Sequence, residues 1–289
     1  MKILHDPDEV HAACAQRKRE GRRIGLVPTM GALHEGHLSL IRAARTQSDV
    51  VAVSLFVNPL QFGPNEDLAK YPRSFERDRQ LLEAEKVDLL FAPSNDDMYP
   101  AGATTFVTVE GLSEKLCGRS RPGHFRGVTT VVAKLFHIVE PDLAFFGQKD
   151  AAQVAIIRRM VRDLNFPVRI MVCPIVREKD GLALSSRNAY LDPTQRKQAL
   201  ALNRALMRVQ TMADTGERNA ARLIEAGKQV IADETGVRLD YLEIVNPDTL
   251  DPVDDIARGA LVAVAAYVGT TRLIDNVVLH GVGEAAGPT

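Results

Sequence analysis

Apolar positions along the chain fall into two kinds of run. Nearly continuous ones, "RIGLVPT" (23–29), "VVAVSLFVN" (50–58), "VDLLFAP" (87–93), "LAFFG" (143–147) and "VRIMVCPIV" (168–176), have strand length and little polar alternation. Between them apolar residues recur at helical spacing. In "HLSLIRAARTQ" Leu38, Ile41 and Ala44–Arg45 follow that period. "YPRSFERDRQLLEAEK" (71–86) predicts a helix with Pro72 in its first turn. "RGVTTVVAKLFHIVE" gathers Val128, Val131, Val132, Leu135, Phe136 and Val139 on one side, and "DAAQVAIIRRMVRDL" gathers Val154, Ile157, Val161 and Leu164. Residues 8–20 predict a surface helix whose sparse apolar face is Val10, Ala13 and Cys14. "TTFVTVE" (104–110) predicts a further strand at a sheet edge.

Strands and helices thus alternate from about residue 20 to 176, and the strands are apolar on both faces. That combination predicts an α/β fold, a Rossmann-like doubly wound parallel sheet covered by helices on both sides. After "REKDGLALSSRN" the order changes. Two helix-rich stretches, roughly 193–213 and 217–235, precede "LDYLEIVN" and "GALVAVAAYVGTTRLIDNVVL", which predict strands joined by turns. The expected division is a first domain over 1–176, a smaller C-terminal α+β domain over 177–283 and a disordered tail over 284–289. In doubly wound sheets ligands bind beyond the carboxyl ends of the strands. The turns after "GLVPT", "SLFVN", "LAFFG" and "MVCPIV" are therefore where chemistry is expected.

Charge narrows the partners. Lys and Arg total 36 against 37 Asp and Glu, which gives no general reason to expect nucleic acid or a membrane surface. The basic clusters Arg17–Lys18–Arg19 and Arg22–Arg23 read as a solvated face. The apolar runs are too short to span a bilayer, and charges interrupt "MKILHDPDEVHAA" too early for a secretory segment. Cys14, Cys117 and Cys173 lie far apart without C-x-x-C spacing, which fits a reducing compartment. A cytoplasmic protein is expected.

Three strand-end loops carry groups suited to phosphate. In "VPTMGALHEGHLSL" Pro28 and Gly31 end a strand, and His34 and His37 fall at the mouth of a helix. Free N–H groups and the helix dipole favour an anion there, and imidazoles can donate to phosphoryl oxygens. Gly36 leaves room for a base or ribose. A helix cap plus a surface histidine is the plain alternative. Zinc fits poorly: the metalloprotease spacing H-E-x-x-H is missed, since the second histidine comes at i+3 and Leu38 occupies i+4. In "FFGQKDAAQ" Lys149 can place a point charge on a phosphate, while Asp150 and Gln153 could instead make a near capping box. In "KDGLALSSRN" Ser185, Ser186 and Arg187 offer hydroxyls and a planar fork; the alternative is a polar linker. Softer candidates are Asn58 and Gln61, amides suited to a small hydroxy acid or amine, with turn chemistry around Pro59 and Pro64 as the alternative, and Arg121, His124 and Arg126 before a helix, which could contact an anionic substrate or simply decorate a loop.

The blocks "PTMGALHEGH", "FVNPLQF", "RPGHFRGV", "FGQKD" and "GLALSSRN", in this order, closely resemble the pantoate–β-alanine ligases (pantothenate synthetases). "HEGH" is similar to the H-x-G-H signature of the wider nucleotidyltransferase superfamily, and "LSSRN" sits where that superfamily carries its K-M-S-K-S-type loop. The resemblance implies that pantoate and ATP form pantoyl adenylate and pyrophosphate, and that β-alanine then displaces AMP. By motif position, Met30, Gly31, Ala32, Leu33, His34, Glu35, Gly36 and His37 would line the ATP site, with His37 as proton donor. Gly147, Gln148, Lys149, Asp150, Val176, Leu184, Ser185, Ser186 and Arg187 would complete it. Gln61 would hold pantoate and β-alanine, and Gln153 pantoate. The family implies a homodimer and Mg²⁺; because an adenylate is prone to hydrolysis, a C-terminal domain that closes and excludes water is expected, with "LSSRN" as its natural hinge. The metal ligands stay unassigned, with Asp78 and Asp150 as the carboxylates in view.

Overall fold

The structure is a computed structural model and describes residues 1–64 and 66–281; the tail 284–289, expected to be disordered, lies outside the described residues. In chain order the elements are β1 (Lys2–Leu4), α1 (Pro7–Arg19), β2 (Ile24–Thr29), α2 (Glu35–Gln47), β3 (Val50–Leu55), α3 (Phe75–Ala84), β4 (Leu89–Phe91), α4 (Asn95–Met98), α5 (Cys117–Ser120), α6 (His124–Val139), β5 (Leu143–Gly147), α7 (Ala151–Asp163), β6 (Arg169–Cys173), α8 (Pro193–Gln198), α9 (Leu200–Asp214), α10 (Ala220–Ala232), β7 (Val237–Val245), β8 (Ala260–Val268) and β9 (Thr271–Leu279). They divide into two compact units. One comprises Met1–Glu114, Arg121–Gly147 and Ile156–Cys173; the other comprises Lys115–Ser120, Gln148–Ala155 and the chain from Pro174 on. The division near the end of β6 falls between Cys173 and Pro174, upstream of the expected hinge at "LSSRN".

The first unit is built on a six-stranded sheet ordered β1-β4-β3-β2-β5-β6 with every pair parallel. Chain order runs outward from β2 through β3 to β4, then jumps back to β5 on its other side. That reversal opens a crevice at the carboxyl ends of β2 and its neighbours. The doubly wound expectation follows from burial: Ile24, Leu26, Val27, Val51, Val53, Leu90 and Phe145 are all at most 1% exposed, so the strands leave no polar face. The α6 stripe read from the sequence is buried throughout. Helix α1 starts on the Asp6 side chain, with Pro7 in its first turn, and ends on Arg17–Lys18–Arg19, so this basic cluster sits where the helix dipole favours cations.

Two expectations fail, and one strand was not foreseen. Thr104–Glu110 forms no strand. Its backbone is satisfied by α6 instead: Val107 N–H donates to Thr130 Oγ1 at 3.0 Å, and Thr129 Oγ1 donates to Val107 O at 2.6 Å. Arg126 lies 3.7 Å over the Phe106 ring and fastens the same segment. Pro72 lies outside α3, which begins only at Phe75. The short β1 pairs with β4 through Lys2–Leu4, too few residues to show a period.

In the second unit β7, β8 and β9 form an antiparallel sheet with β8 in the middle. Val262, Val264, Ala266 and Val268 of β8 join Leu202, Leu206 and Val209 of α9 and Leu223 of α10 in one core. This is the smaller α+β region expected from the helix-then-strand order. Among the described residues no helix is long and apolar enough to cross a membrane.

Candidate active site

The turn after β2 is held from below. Gly31 and Ala32 both take left-handed backbone, with φ of 82° and 51°. For alanine this costs roughly 1–2 kcal/mol. The compensation comes from Asp78 on α3, fully buried, whose two carboxylate oxygens accept from Ala32 N–H and Leu33 N–H, each at 2.8 Å. A Cβ on Gly31 would sit 3.1 Å from Asp78 Oδ2 and 3.2 Å from Leu55, a tight fit that adds to the preference of this left-handed backbone for glycine. Asp78, considered for a metal, is thus an anchor for the backbone. The Leu33 side chain is in the core, and Glu35 pairs with Arg42, which also binds Glu85.

His34 and His37 cap α2. His34 is the N-cap of α2; its Nδ1 accepts from Gly36 N–H at 3.2 Å, and His37 Nδ1 accepts from His34 N–H at 3.3 Å. A backbone N–H can only donate, so both Nδ1 atoms carry lone pairs. The neutral rings then hold their protons on Nε2. The imidazoles stack with centroids 4.0 Å apart. Helix capping, the plain reading, is what the bonds show, and it selects the tautomer that makes Nε2 a donor. No group of three or more His, Cys, Asp or Glu able to hold a metal ion occurs among the described residues.

The loop after β3 carries Gln61. Its Nε2 donates to Met30 Sδ at 3.1 Å and its Oε1 accepts from Asn58 Nδ2 at 3.1 Å, so it bridges the β2 turn and the β3 end. Asn58 is 1% exposed, and its amide also meets Gly127 O, Leu60 N–H and the Tyr99 hydroxyl. It positions the loop and has little left for a substrate. Arg121 and His124 do likewise. His124 Nδ1 donates to Gln61 O at 2.8 Å and its Nε2 accepts from Arg121, which fixes the Nδ1–H tautomer. Arg121 forks onto Glu66 at 2.7 and 2.6 Å. Burial pushes the Glu66 carboxyl up, but the Arg121 hydrogen bonds and charge outweigh it and hold it below the usual carboxylate range.

In the second unit the other two loops are ordered. Residues 176–184 form a small hairpin: Leu184 N–H donates to Val176 O at 3.0 Å, Arg177 bridges Ala183, and Gly181 turns the tip with φ of 97°. Ser185 caps the next turn, its Oγ accepting from Arg187 N–H at 3.3 Å, and Asn188 ties that turn to Ala183 O and Glu178. Residues Gln148–Asp150 form a single 3-10 turn before α7, on which Gln153 lies. Lys149 Nζ is 3.7 Å from Asp150 Oδ1, a loose pair with the Asp150 side chain nearly half exposed. Two residues that sequence reasoning missed, Asp275 and Asn276 of β9, hold these loops. Their signal was an adjacent polar pair inside the otherwise apolar half-strand "LIDNVVL".

Comparison with known proteins gives the same direction. A sequence profile described as pantoate-beta-alanine ligase matches residues 2–278. A pantothenate synthetase of Koribacter versatilis (strain Ellin345) is 67% identical over all of this chain and 99% of its own. The crystal structure of a pantothenate synthetase from Thermus thermophilus superposes with a TM-score of 0.92 at 50% identity, covering 96% of this chain and 99% of that one. A pantoate-beta-alanine ligase from Francisella tularensis, solved in complex with beta-gamma ATP and beta-alanine, has a TM-score of 0.80 at 36% identity over 96% and 97% of the two chains. A profile match over nearly the full length, with relatives this similar across both of their lengths, means that the chain belongs to the pantoate–β-alanine ligase family.

Proposed function

We propose that the chain joins pantoate to β-alanine at the expense of ATP, in two steps. Pantoate's carboxylate attacks the α-phosphorus of ATP; a P–O bond forms, the bond to pyrophosphate breaks, and pantoyl adenylate results. The carboxylate is already ionised at neutral pH, so this step needs no general base. The neutral amine of β-alanine then attacks the acyl carbon, AMP leaves with the C–O bond electrons, and the nitrogen loses a proton as the amide forms.

Charge building on the α-phosphoryl oxygens and the leaving pyrophosphate is the barrier the side chains must lower. We assign His34 and His37 Nε2–H, the Lys149 ammonium, the Ser185 and Ser186 hydroxyls and the Arg187 fork to those oxygens. Met30–His37, Gly147–Asp150, Val176 and Leu184–Arg187 form the ATP site in this reading, and Gln61 and Gln153 hold pantoate, Gln61 also β-alanine. Losing one donor should cost about 2.7–4 kcal/mol of barrier. The described residues do not fit a dedicated all-protein magnesium cage, because no cluster of three acidic or histidine ligands exists among them. Mg²⁺ commonly enters such reactions already bound to substrate phosphates. The same reading makes the chain a cytoplasmic homodimer.

The observation that carries the assignment is the imidazole pair, whose capping bonds leave the ring protons on Nε2. The test is pyrophosphate release from ATP that depends on pantoate, followed by AMP release on adding β-alanine. His37→Ala should lower the first by roughly a hundred- to a thousandfold. Pyrophosphate released equally without pantoate, or His37→Ala at the parent rate, would remove the assignment.

A further inference from the structure

The middle of β9 buries two polar residues next to each other in sequence, Asp275 at 4% and Asn276 at 3% exposure, between the apolar pairs Leu273–Ile274 and Val277–Val278. A carboxylate and an amide are costly to bury unless fully paired, and both are. Asp275 takes the Arg177 fork at 2.6 and 2.9 Å, and the same guanidinium donates to Gly181 O at the hairpin tip at 3.0 Å. The Asn276 side-chain amide donates to Gln148 O and Lys149 O, each at 2.9 Å, and accepts from Gln148 Nε2 at 3.0 Å. Asn276 N–H donates to Asp275 Oδ1 at 2.8 Å and joins the two clamps. Apolar residues of similar volume would fill these positions at no greater cost. What the polar pair adds is position. Adjacent residues of one strand, zipped to β8 through Asn276↔Ala263 and Asp275↔Val264, fix the Gln148–Lys149 turn and the hairpin leading to Leu184–Arg187 in one register.

We infer that Asp275 and Asn276 are positioning residues for adenylation, setting the Lys149 ammonium and the Ser185–Arg187 donors against the same triphosphate; this rests on the proposed ATP site. Positioning errors near 1 Å cost up to about a hundredfold in rate. Asn276→Ala should therefore lower pantoate-dependent pyrophosphate release by roughly ten- to a hundredfold through kcat, with the KM for pantoate little changed; the carbonyls of Gln148 and Lys149 lose a donor, so the melting temperature falls as well. AMP formation from supplied pantoyl adenylate and β-alanine should fall much less. Because Asn276 acts through Lys149, Asn276→Ala combined with Lys149→Ala should be no slower than Lys149→Ala alone. Asp275→Asn keeps the shape but loses the ion pair, and should raise the KM for ATP; this variant carries the test if Asn276→Ala does not fold. Parent adenylation rates in both variants, or equal losses in both half-reactions, would overturn the inference. Lys149→Ala at the parent rate would instead remove the ATP-site reading itself, whereas a slow Lys149→Ala beside normal Asn276→Ala and Asp275→Asn would remove only the positioning role.

Discussion

The turn after β2 and the loop after β3 leave neighbouring strands of one sheet, yet they are held in opposite ways. The first is clamped through its backbone: a buried carboxylate, Asp78, neutralises two N–H groups of a left-handed turn. The second is clamped through side chains and close packing: Asn58 and His124 bond it, the partly accessible Arg121–Glu66 pair braces it, and Gly127 lets α6 press against it. The turn assigned to ATP is thereby prebuilt, insensitive to all but deep core changes. The loop assigned to pantoate and β-alanine rests on contacts that can be loosened one at a time.

The largest effect is expected at Asp78. Asp78→Ala removes the carboxylate that accepts from two N–H groups of the turn, at about 1–3 kcal/mol each, so urea unfolding should show a loss of roughly 2–6 kcal/mol. Asp78→Asn keeps one acceptor but turns an NH₂ towards the other N–H, and should cost about half as much. Adenylation should fall in both, since the strained Ala32 has lost what offsets it. A loss under about 1 kcal/mol in Asp78→Ala would mean that the β2 turn is not held differently from the β3 loop.

Asp78 also shows what the sequence conceals. Strands buried on both faces announce themselves as apolar runs, and "HEGH" marks itself by motif, so the sheet and the imidazoles were legible. Asp78 sits in "FERDRQ", which has the look of a solvated helix face; only a contact across 45 and 46 residues of sequence gives it its task. "TTFVTVE" erred in the other direction. Its β-branched composition suits any extended segment, and the partner that satisfies its backbone is a pair of helix threonines instead of a strand. Arg121 and His124 were read as possible anion contacts from residue type alone, and type does not reveal that Gln61 O and Glu66 already occupy them.

A smaller and more specific effect is expected at Gly127. An added Cβ would lie 2.3 Å from Leu60 O and 2.5 Å from Gln61 N, so the loop must move away from α6. Overpacking of this kind costs about 1–3 kcal/mol, while glycine to alanine within a helix returns about 1 kcal/mol. Gly127→Ala should therefore change unfolding stability by no more than about 2 kcal/mol and register mainly as raised KM values for pantoate and β-alanine. An unchanged KM for both, with the KM for ATP raised instead, would invert the division of labour between turn and loop.

The smallest effect is a matter of pH and belongs to Glu66. Its folded carboxyl titrates below the ordinary glutamate value, burial being outweighed by Arg121. A depressed carboxyl contributes stability that is present above the unfolded value, about 4.3, and is lost as pH falls through the folded one. Glu66→Gln has nothing to titrate there. The gap in unfolding free energy between parent and variant, up to about 1 kcal/mol for a partly accessible pair, should stay constant from pH 7 to 5 and close below about pH 4. A gap that instead opened between pH 6 and 8 would mean that the Glu66 carboxylate is not the group whose titration governs the loop.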